Sequence, residues 1–199
     1  SIKNLSKSNI KIVKDIKVKS NTPKNKFLNM VNKAKKYIKI GDIFQVVLSQ
    51  RFEAELTKNP LDIYKKLRIT NPSPFMFFFN FSDFQIVGAS PEILVRLRDN
   101  KITVRPIAGT RPRGKTSKED LYYEKDLLKD KKELSEHLML LDLGRNDAGK
   151  VSKINSVKVT ESFIIERYSH VMHIVSNVVG EYNKKFSKFK SLLAGFPAG

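Results

Sequence analysis

Apolar and polar residues alternate along much of the chain, and this alternation predicts strands. Between residues 43 and 56 the even-numbered positions are mostly apolar and the odd-numbered ones mostly polar, which is typical of one long, half-buried strand. Short apolar runs bounded by turn residues predict further strands, two of them forming a hairpin around Asp99-Asn100. The strands predicted in this way cover residues 43–56, 75–81, 84–89, 93–98, 101–107, 156–165 and 169–179.

Between these strands the apolar spacing changes to three and four residues, which predicts helices. In the first helix Phe27, Val31, Ala34 and Ile38 share one face, and Gly41 is placed to end it. The helix starts are predicted at Thr22 with Pro23 as the first helical residue, at Asn59-Pro60, at Ser117 with Asp120, at Asp130 with Glu133, and before Phe186. Hairpin-linked strands with helices between them predict an α+β fold, in which antiparallel sheets are layered with helices.

The chain is strongly basic, and most of the excess charge lies at its beginning. The formal net charge is +18, and residues 1–40 contribute twelve Lys and one acidic residue. We therefore expect a basic N-terminal stretch plus helix in residues 1–40 and a second region in residues 41–199. A basic nucleic-acid-binding module is the alternative that this charge leaves open. Because Lys outnumbers Arg by 29 to 9, whereas base recognition favours the guanidinium fork, we expect no specific nucleic-acid partner.

The chain contains no cysteine, which excludes a disulfide scaffold, a thiolate metal site and a cysteine nucleophile. This composition fits a reducing cytoplasm. No apolar run approaches the roughly 20 residues that span a bilayer, so no membrane association is expected. The chain begins with Ser1 and stops in the loop-like sequence of residues 194–199, from which we expect an internal fragment of a longer protein.

Two segments in the middle of the chain are candidates for chemistry. Glu92 follows Ser90-Pro91 at the end of an apolar strand, where a carboxyl group with a raised pKa could act as a general acid or base; the alternative is a simple turn residue. Residues 109–115 read GTRPRGK and combine close backbone approach with three cations, which suits an anion such as a carboxylate. The alternative is a solvated basic loop.

Two further segments carry possible ligands. Glu136 lies at helical spacing with Leu140, Leu143 and Asp147, which indicates either a surface stripe or one ligand of a hard cation such as Mg²⁺. His170 and His173 differ by an odd number, so on a strand they face opposite sides and at most one can belong to a site. The usual alternative for such a histidine is a hydrogen-bonded core position.

From about Gly41 to Gly199 the chain resembles the chorismate-binding domain of anthranilate synthase component I. Six strings carry the resemblance in the family's order and spacing. They read GDIFQVVLSQRFE, NPSPFMFFF, VGASPEILVR, PIAGTRPRGKT, KELSEHLMLLDLGRND and ERYSHVMHIVSNVVGE.

The resemblance implies a lyase reaction that opens tryptophan biosynthesis. In this family Mg²⁺ holds the ring carboxylate of chorismate, ammonia adds to the ring as the C4 hydroxyl leaves, and elimination of pyruvate gives anthranilate. By position, Glu136 matches a Mg²⁺ ligand, and Gly109 with Thr110 matches the substrate-contact pair. Glu92 matches the carboxylate that helps the hydroxyl leave, and His173 matches the histidine of the later steps.

Two positions distinguish this family from its relatives. Isochorismate and salicylate synthases carry a Lys that activates water where this chain has Gln45, and an amide cannot serve as that base. Aminodeoxychorismate synthases, the alternative enzyme class, carry a nucleophilic Lys where this chain has Ala108. Pro74, Phe75 and Met76 match part of the family's tryptophan feedback site, in which most members have Tyr instead of Phe75.

The resemblance also implies partners. Ammonia would come from glutamine through a separate amidotransferase subunit, in a heterotetramer, and tryptophan would act as a feedback inhibitor. The family places a second Mg²⁺ glutamate and a carboxylate-binding Arg beyond Gly199. We therefore expect residues 1–199 alone to be inactive.

Overall fold

The computed structural model describes residues 16–196, so most of the basic stretch predicted at residues 1–20 lies outside the described residues. The chain falls into two compact units, Ser1–Asn59 and Pro60–Gly199. Neither contains, within residues 16–196, a helix long and apolar enough to cross a membrane.

The first unit contains strand β1 (Val18–Ser20), helix α1 (Lys24–Lys39) and strand β2 (Phe52–Ala54). Pro23 is the N-cap of α1 and not its first helical residue, because its backbone is still extended, with ψ of 148°. The Thr22 hydroxyl, predicted to cap the helix, donates to the Asn21 side chain instead. Gly41 ends the helix as predicted, with a φ of +82° that favours glycine.

The long strand predicted at residues 43–56 is wrong for most of its length. Only Phe52–Ala54 is a strand, paired with β1, and the segment before it has no regular structure. Phe44 is 90% exposed and Val47 is 79% exposed. Alternation marks residues suited to a sheet, but a strand also needs a neighbour for its N–H and C=O groups, and the described part of this unit provides one for three residues only.

The second unit alternates helices and strands as an α+β fold, which confirms the predicted class. Its elements are α2 (Pro60–Thr70), β3 (Phe75–Asn80), β4 (Gln85–Ser90), β5 (Arg96–Arg98), β6 (Lys101–Val104), β7 (Ile107–Pro112), α3 (Ser117–Leu127), α4 (Lys131–Gly149), β8 (Lys158–Arg167), β9 (Val171–Glu181) and α5 (Lys188–Leu193). Strands β3 and β4 form a separate antiparallel hairpin. Strands β5 and β6 form the predicted hairpin around Asp99 and Asn100, both of which have positive φ.

Strand β9 is the centre of the larger sheet. It pairs antiparallel with β6 through residues 178–181, with β7 through residues 171–175, and with β8 along most of its length. Met172, Ile174, Val175 and Val178 of this strand are fully buried. Helix α4 packs against β6, β7 and β9, so the apolar core lies between this helix and the sheet.

Residues 109–116, predicted as a basic loop, are largely strand. Residues up to Pro112 belong to β7, which pairs with β9, and Gly109 lies at a bulge in that pairing. The cap of α3 also differs by one residue from the prediction. Thr116, not Ser117, accepts the helix N–H, which comes from Glu119. Asp130 caps α4 as predicted, accepting the N–H groups of Lys132 and Glu133.

Candidate active site

A cavity of about 280 Å³ lies between the end of β4, the start of β7 and helix α4. Glu92 lines this cavity, and its Oε1 accepts a hydrogen bond of 3.3 Å from the N–H of Ile107. The atoms crowded around the carboxyl group remove water from it and raise its pKa, which the Ile107 N–H partly offsets. A carboxyl group that keeps its proton to higher pH is suited to act as a general acid.

The stripe of α4 that includes Glu136 faces this cavity over most of its length. Leu140, Leu143 and Asp147 all line the cavity, so for these three residues the surface alternative is wrong. Glu136 lies one turn before Leu140 on the same side of the helix and is half-buried. Its carboxylate is therefore placed towards the end of the cavity wall.

A hard cation would find one candidate carboxylate here. Oxygen ligands suit Mg²⁺, and Mg²⁺ often takes only one or two carboxylates while keeping water and substrate oxygens. Within residues 16–196 no group of three or more His, Asp or Glu side chains is close enough together to hold a metal ion. The described residues thus fit a cation bound through Glu136 and completed by other oxygens, and do not form a closed metal cage.

The imidazole of His173 is held by strand β7. Its Nδ1 lies 2.9 Å from the Gly109 carbonyl oxygen and 3.1 Å from the Thr110 hydroxyl. A carbonyl oxygen can only accept, so the hydrogen-bond network assigns the proton to Nδ1. This leaves Nε2 as the acceptor nitrogen of the ring, the form that a general base requires. His170 lies in the bend before β9 and is exposed.

Gly109 is where β7 departs from regular pairing. Its φ is +70°, and a Cβ added there would lie 3.1 Å from side-chain carbons of both Ile174 and Leu127. Only glycine fits this position without strain. The bulge separates the pairs Ala108↔Ile174 and Thr110↔His173, and so sets Thr110 opposite His173.

One short strand therefore fixes both candidate catalytic groups. The N–H of Ile107 binds Glu92, and the carbonyl of Gly109 and the hydroxyl of Thr110 bind His173. Four of the residues singled out in the sequence, Glu92, Gly109, Thr110 and His173, come together around β7. Ala108 is buried within the same strand and offers no nucleophile.

The arginines of β7 do not form an anion site, which corrects the reading of residues 109–115. Arg111 pairs with Asp126 at 2.6 Å and with Asp130 at 2.8 Å. Arg113 pairs with Asp120 at 2.8 Å, and also donates to the carbonyl of Tyr168. The guanidinium groups are occupied by carboxylates of the protein itself, so they tie α3 and the start of α4 to the sheet.

Asp120 is the centre of one of these ionic clusters. It is 8% exposed and accepts from Arg113, from the Gly114 N–H and from Arg167. These donors, Arg113 first, hold the pKa of Asp120 well below its usual range. The stability that this carboxylate contributes is present above the ordinary carboxyl pKa of about 4 and is lost as the pH falls below it.

We expect Asp120→Asn, made in the full-length subunit, to lower Tm at pH 7 by on the order of 5 °C, because two guanidinium groups lose their common partner. The difference from the wild type should shrink as the pH is lowered towards 3. Thermal melts at several pH values measure this. Asp62→Asn, which removes an exposed carboxylate paired with Lys65 on α2, is the matched control and should melt like the wild type. Equal Tm values for Asp120→Asn and the wild type at pH 7 would contradict the assignment.

Two polar groups near the site were not singled out from the sequence. His137 is fully buried, its Nε2 lies 2.7 Å from the Ser176 hydroxyl, and burial lowers its pKa to about 4. Tyr168 lies against His173, with ring centroids 5.4 Å apart. The signal for His137 was its place next to Glu136 on an apolar helix. For Tyr168 nothing in the local sequence gave one.

The residues matched to a tryptophan site lie on the β3–β4 hairpin. Pro74 precedes β3, Phe75 pairs with Ser90, and Met76 pairs with Ala89. The Ser90 hydroxyl in turn bonds both the N–H and the carbonyl of Glu92. Gln45 is exposed and belongs to the first unit, in the segment without regular structure.

Comparison with known proteins gives a consistent result. The family described as chorismate binding enzyme matches residues 5–199. Anthranilate synthase component 1 of Cereibacter sphaeroides is 64% identical over 92% of the chain, and that of Pseudomonas aeruginosa is 58% identical over 86% of the chain. The chain spans 36% and 35% of the length of these two relatives.

Solved structures agree. The crystal structure of anthranilate synthase component I from Streptococcus pneumoniae matches with a TM-score of 0.85 and 44% identity, over 94% of this chain and 41% of that one. The menaquinone-specific isochorismate synthase from Escherichia coli matches with a TM-score of 0.79 and 19% identity, over 95% of this chain and 45% of that one. The second likeness shows a shared fold only.

Proposed function

Because the chain belongs to the chorismate binding enzyme family, we propose that it carries part of the active site of an anthranilate synthase, which converts chorismate and ammonia to anthranilate and pyruvate. One structural observation supports the proposal most directly. Strand β7 fixes a carboxyl group with a raised pKa, Glu92, and an imidazole of defined tautomer, His173, through adjacent backbone groups. An acid and a base held a few residues apart on one strand suit a reaction that expels a hydroxyl and later loses a proton.

In this proposal Glu92 donates its proton to the C4 hydroxyl, which leaves as water when ammonia adds to the ring. Its raised pKa keeps the proton on the carboxyl group until the transfer. His173 then accepts the proton lost from the ring through Nε2, because Nδ1 is committed to Gly109. Gly109 and Thr110 contact the substrate at the bulge, where the absence of a side chain on Gly109 lets the backbone approach a ligand closely.

A bound Mg²⁺ would neutralise the ring carboxylate of chorismate and hold it in place. Glu136 is the residue of this chain that we propose as its ligand. Its support is the half-buried position at the end of the cavity-facing stripe of α4 and the chemistry of a carboxylate.

Two neutral side chains support ammonia as the nucleophile. Ala108 presents a methyl group in β7, so a covalent amine route through this position is closed, which argues against an aminodeoxychorismate synthase. Gln45 carries an amide, which cannot deprotonate water. A nucleic-acid-binding role is also weakened, since Arg105, Arg111, Arg113 and Arg167 are all paired with carboxylates.

We further propose that ammonia comes from a separate glutamine amidotransferase subunit, in a heterotetramer located in the cytoplasm. The lack of cysteine in this chain supports a separate subunit, because amidotransferases of the usual type use a cysteine nucleophile. Tryptophan feedback through Pro74, Phe75 and Met76 is proposed as well. Phe75 keeps an aromatic ring 42% exposed at the start of β3.

We expect the purified full-length subunit to form anthranilate from chorismate, Mg²⁺ and ammonium salts, and to form none from glutamine until an amidotransferase subunit is added. Anthranilate fluorescence measures both reactions. Omitting Mg²⁺ is the control for the metal. Glutamine-dependent product from the subunit alone would contradict the separate amidotransferase, and no product with ammonia would contradict the proposed reaction itself.

A further inference from the structure

A chain of polar contacts leads from the β6–β7 connection to His173. The Arg105 guanidinium contacts the carboxylates of Glu166 and, at 3.4 Å, of Glu161. Glu166 accepts a hydrogen bond of 2.8 Å from the Tyr168 hydroxyl. The Tyr168 ring then meets the imidazole of His173 in an edge-to-face arrangement, with an angle of 62° between the rings. None of these groups has a role in the proposed reaction so far.

These contacts hold Tyr168 at both ends. Its hydroxyl is bound to Glu166, and its carbonyl accepts from Arg113 while its N–H donates to the Val171 carbonyl. The ring is half-buried and has little freedom to turn. It therefore forms a rigid wall beside His173.

His173 itself has one hydrogen-bonded side. The Gly109 carbonyl and the Thr110 hydroxyl both act on Nδ1 and fix that atom, but an imidazole held at one atom can still tilt about it. An aromatic ring packed against it at 5.4 Å removes this tilt, since edge-to-face contacts between rings are directional. The direction of Nε2 is then set by two elements, strand β7 and the β8–β9 turn.

We propose that Tyr168 is a positioning residue for His173, held in place by Glu166 and Arg105, and that it sets the direction of the Nε2 lone pair during turnover. The inference rests on the proposed function, because it assumes that His173 accepts a proton from the substrate. Tyr168 acts through His173 and does not itself exchange a proton.

The electrostatics agree with a neutral tyrosine. Burial, followed by the hydrogen bond to Glu166, raises the pKa of Tyr168 to about 12. The charged groups that act on it are Glu166, Arg105, Glu92, Arg113 and the ring of His173. The phenol therefore stays a hydrogen-bond donor throughout the pH range of an enzyme assay.

The test uses kcat and KM for chorismate in the full-length subunit with ammonia. We expect Tyr168→Leu to lower kcat by about 10- to 100-fold with little change in KM, because a misdirected base slows the chemical step more than binding. Tyr168→Phe keeps the ring and should lose only about fivefold. Glu166→Gln should resemble Tyr168→Phe.

A double-mutant cycle separates positioning from simple stability. If Tyr168 acts through His173, its replacement should change kcat by less than about twofold in a His173→Gln background. The structural control is Tyr182→Phe, which loses a hydroxyl contact to the Phe186 carbonyl at the other end of the sheet and should lower Tm without changing kcat.

The outcomes are separable. Wild-type subunit that forms no anthranilate overturns the proposed function. Active wild type with an unchanged kcat in Tyr168→Leu, or with a loss that adds fully to that of His173→Gln, overturns the positioning role alone. If Tyr168→Leu fails to fold, Glu166→Gln decides, through the same cycle with His173→Gln.

Discussion

The full-length subunit carrying Glu136→Gln is expected to lose kcat/KM for chorismate by about 10³-fold or more. A metal that neutralises substrate charge contributes several kcal/mol in the transition state, and each 1.4 kcal/mol is about tenfold in rate. The half-buried carboxylate of Glu136 lies at the end of the cavity-facing stripe of α4, and an amide is a far weaker ligand for a hard cation. The remaining activity should respond little to added Mg²⁺.

Steady-state kinetics over a Mg²⁺ titration measure this effect, and isothermal titration of Mg²⁺ with chorismate present gives a readout independent of turnover. Asp142→Asn is the matched control, because Asp142 is an exposed carboxylate on the same helix that pairs with Arg145. It should leave both measurements unchanged. A Glu136→Gln enzyme with normal kinetics and normal Mg²⁺ dependence would show that this end of the stripe is solvated surface.

Glu92→Gln is expected to lower kcat by about 10²- to 10⁴-fold, the usual contribution of a general acid. The glutamine can still accept the Ile107 N–H, so the loss would come from the missing proton and not from a changed fold. Since the folded protein raises the pKa of Glu92, the acid form extends to higher pH than for an ordinary glutamate. Wild-type kcat should therefore fall as the pH rises through that raised pKa, and the variant should lack this limb.

Stability should move in the opposite direction. A carboxyl group whose pKa is raised in the folded state favours folding at low pH and opposes it once ionised, so Glu92→Gln should melt slightly higher than the wild type at pH 8. Glu181→Gln is the control, since the ion pair with Lys153 lowers the pKa of Glu181 instead. An active Glu92→Gln variant with the wild-type pH profile would exclude Glu92 as the acid.

The periodic parts of the fold were predictable from the sequence, and the parts that depend on distant partners were not. The β5–β6 hairpin follows from Asp99-Asn100 between two apolar runs, and α4 from its Asp130 cap. Residues 107–112 contain Gly and Pro and look like a loop, yet β9 makes them a strand. The strand predicted at 43–56 failed for the converse reason, since its pattern suits a sheet but most of it has no neighbour among the described residues.

The site shows the same division. The types of residue needed for chemistry, such as a carboxylate after Ser90-Pro91, were visible in the sequence. The contact between His173 and the Gly109 carbonyl joins residues 64 positions apart, and no local pattern encodes it. The carboxylates that occupy Arg111 and Arg113 lie on later elements, so the cationic run looked open to a ligand. Local pattern thus gave the chemistry, and long-range pairing decided which groups meet.

The central position of β9 has a consequence for biosynthesis of the chain. Strands β6 and β7 must wait for β9, because Ile102 pairs with Gly180 and Ile107 with Val175, and helices α3 and α4 are made in between. At roughly 5–20 residues per second the ribosome takes several seconds to cover that distance. During this time the edges of β6 and β7 are unpaired and their apolar residues unburied. We therefore expect a nascent chain stalled before β9 to bind chaperones, and one extended past Glu181 to release them.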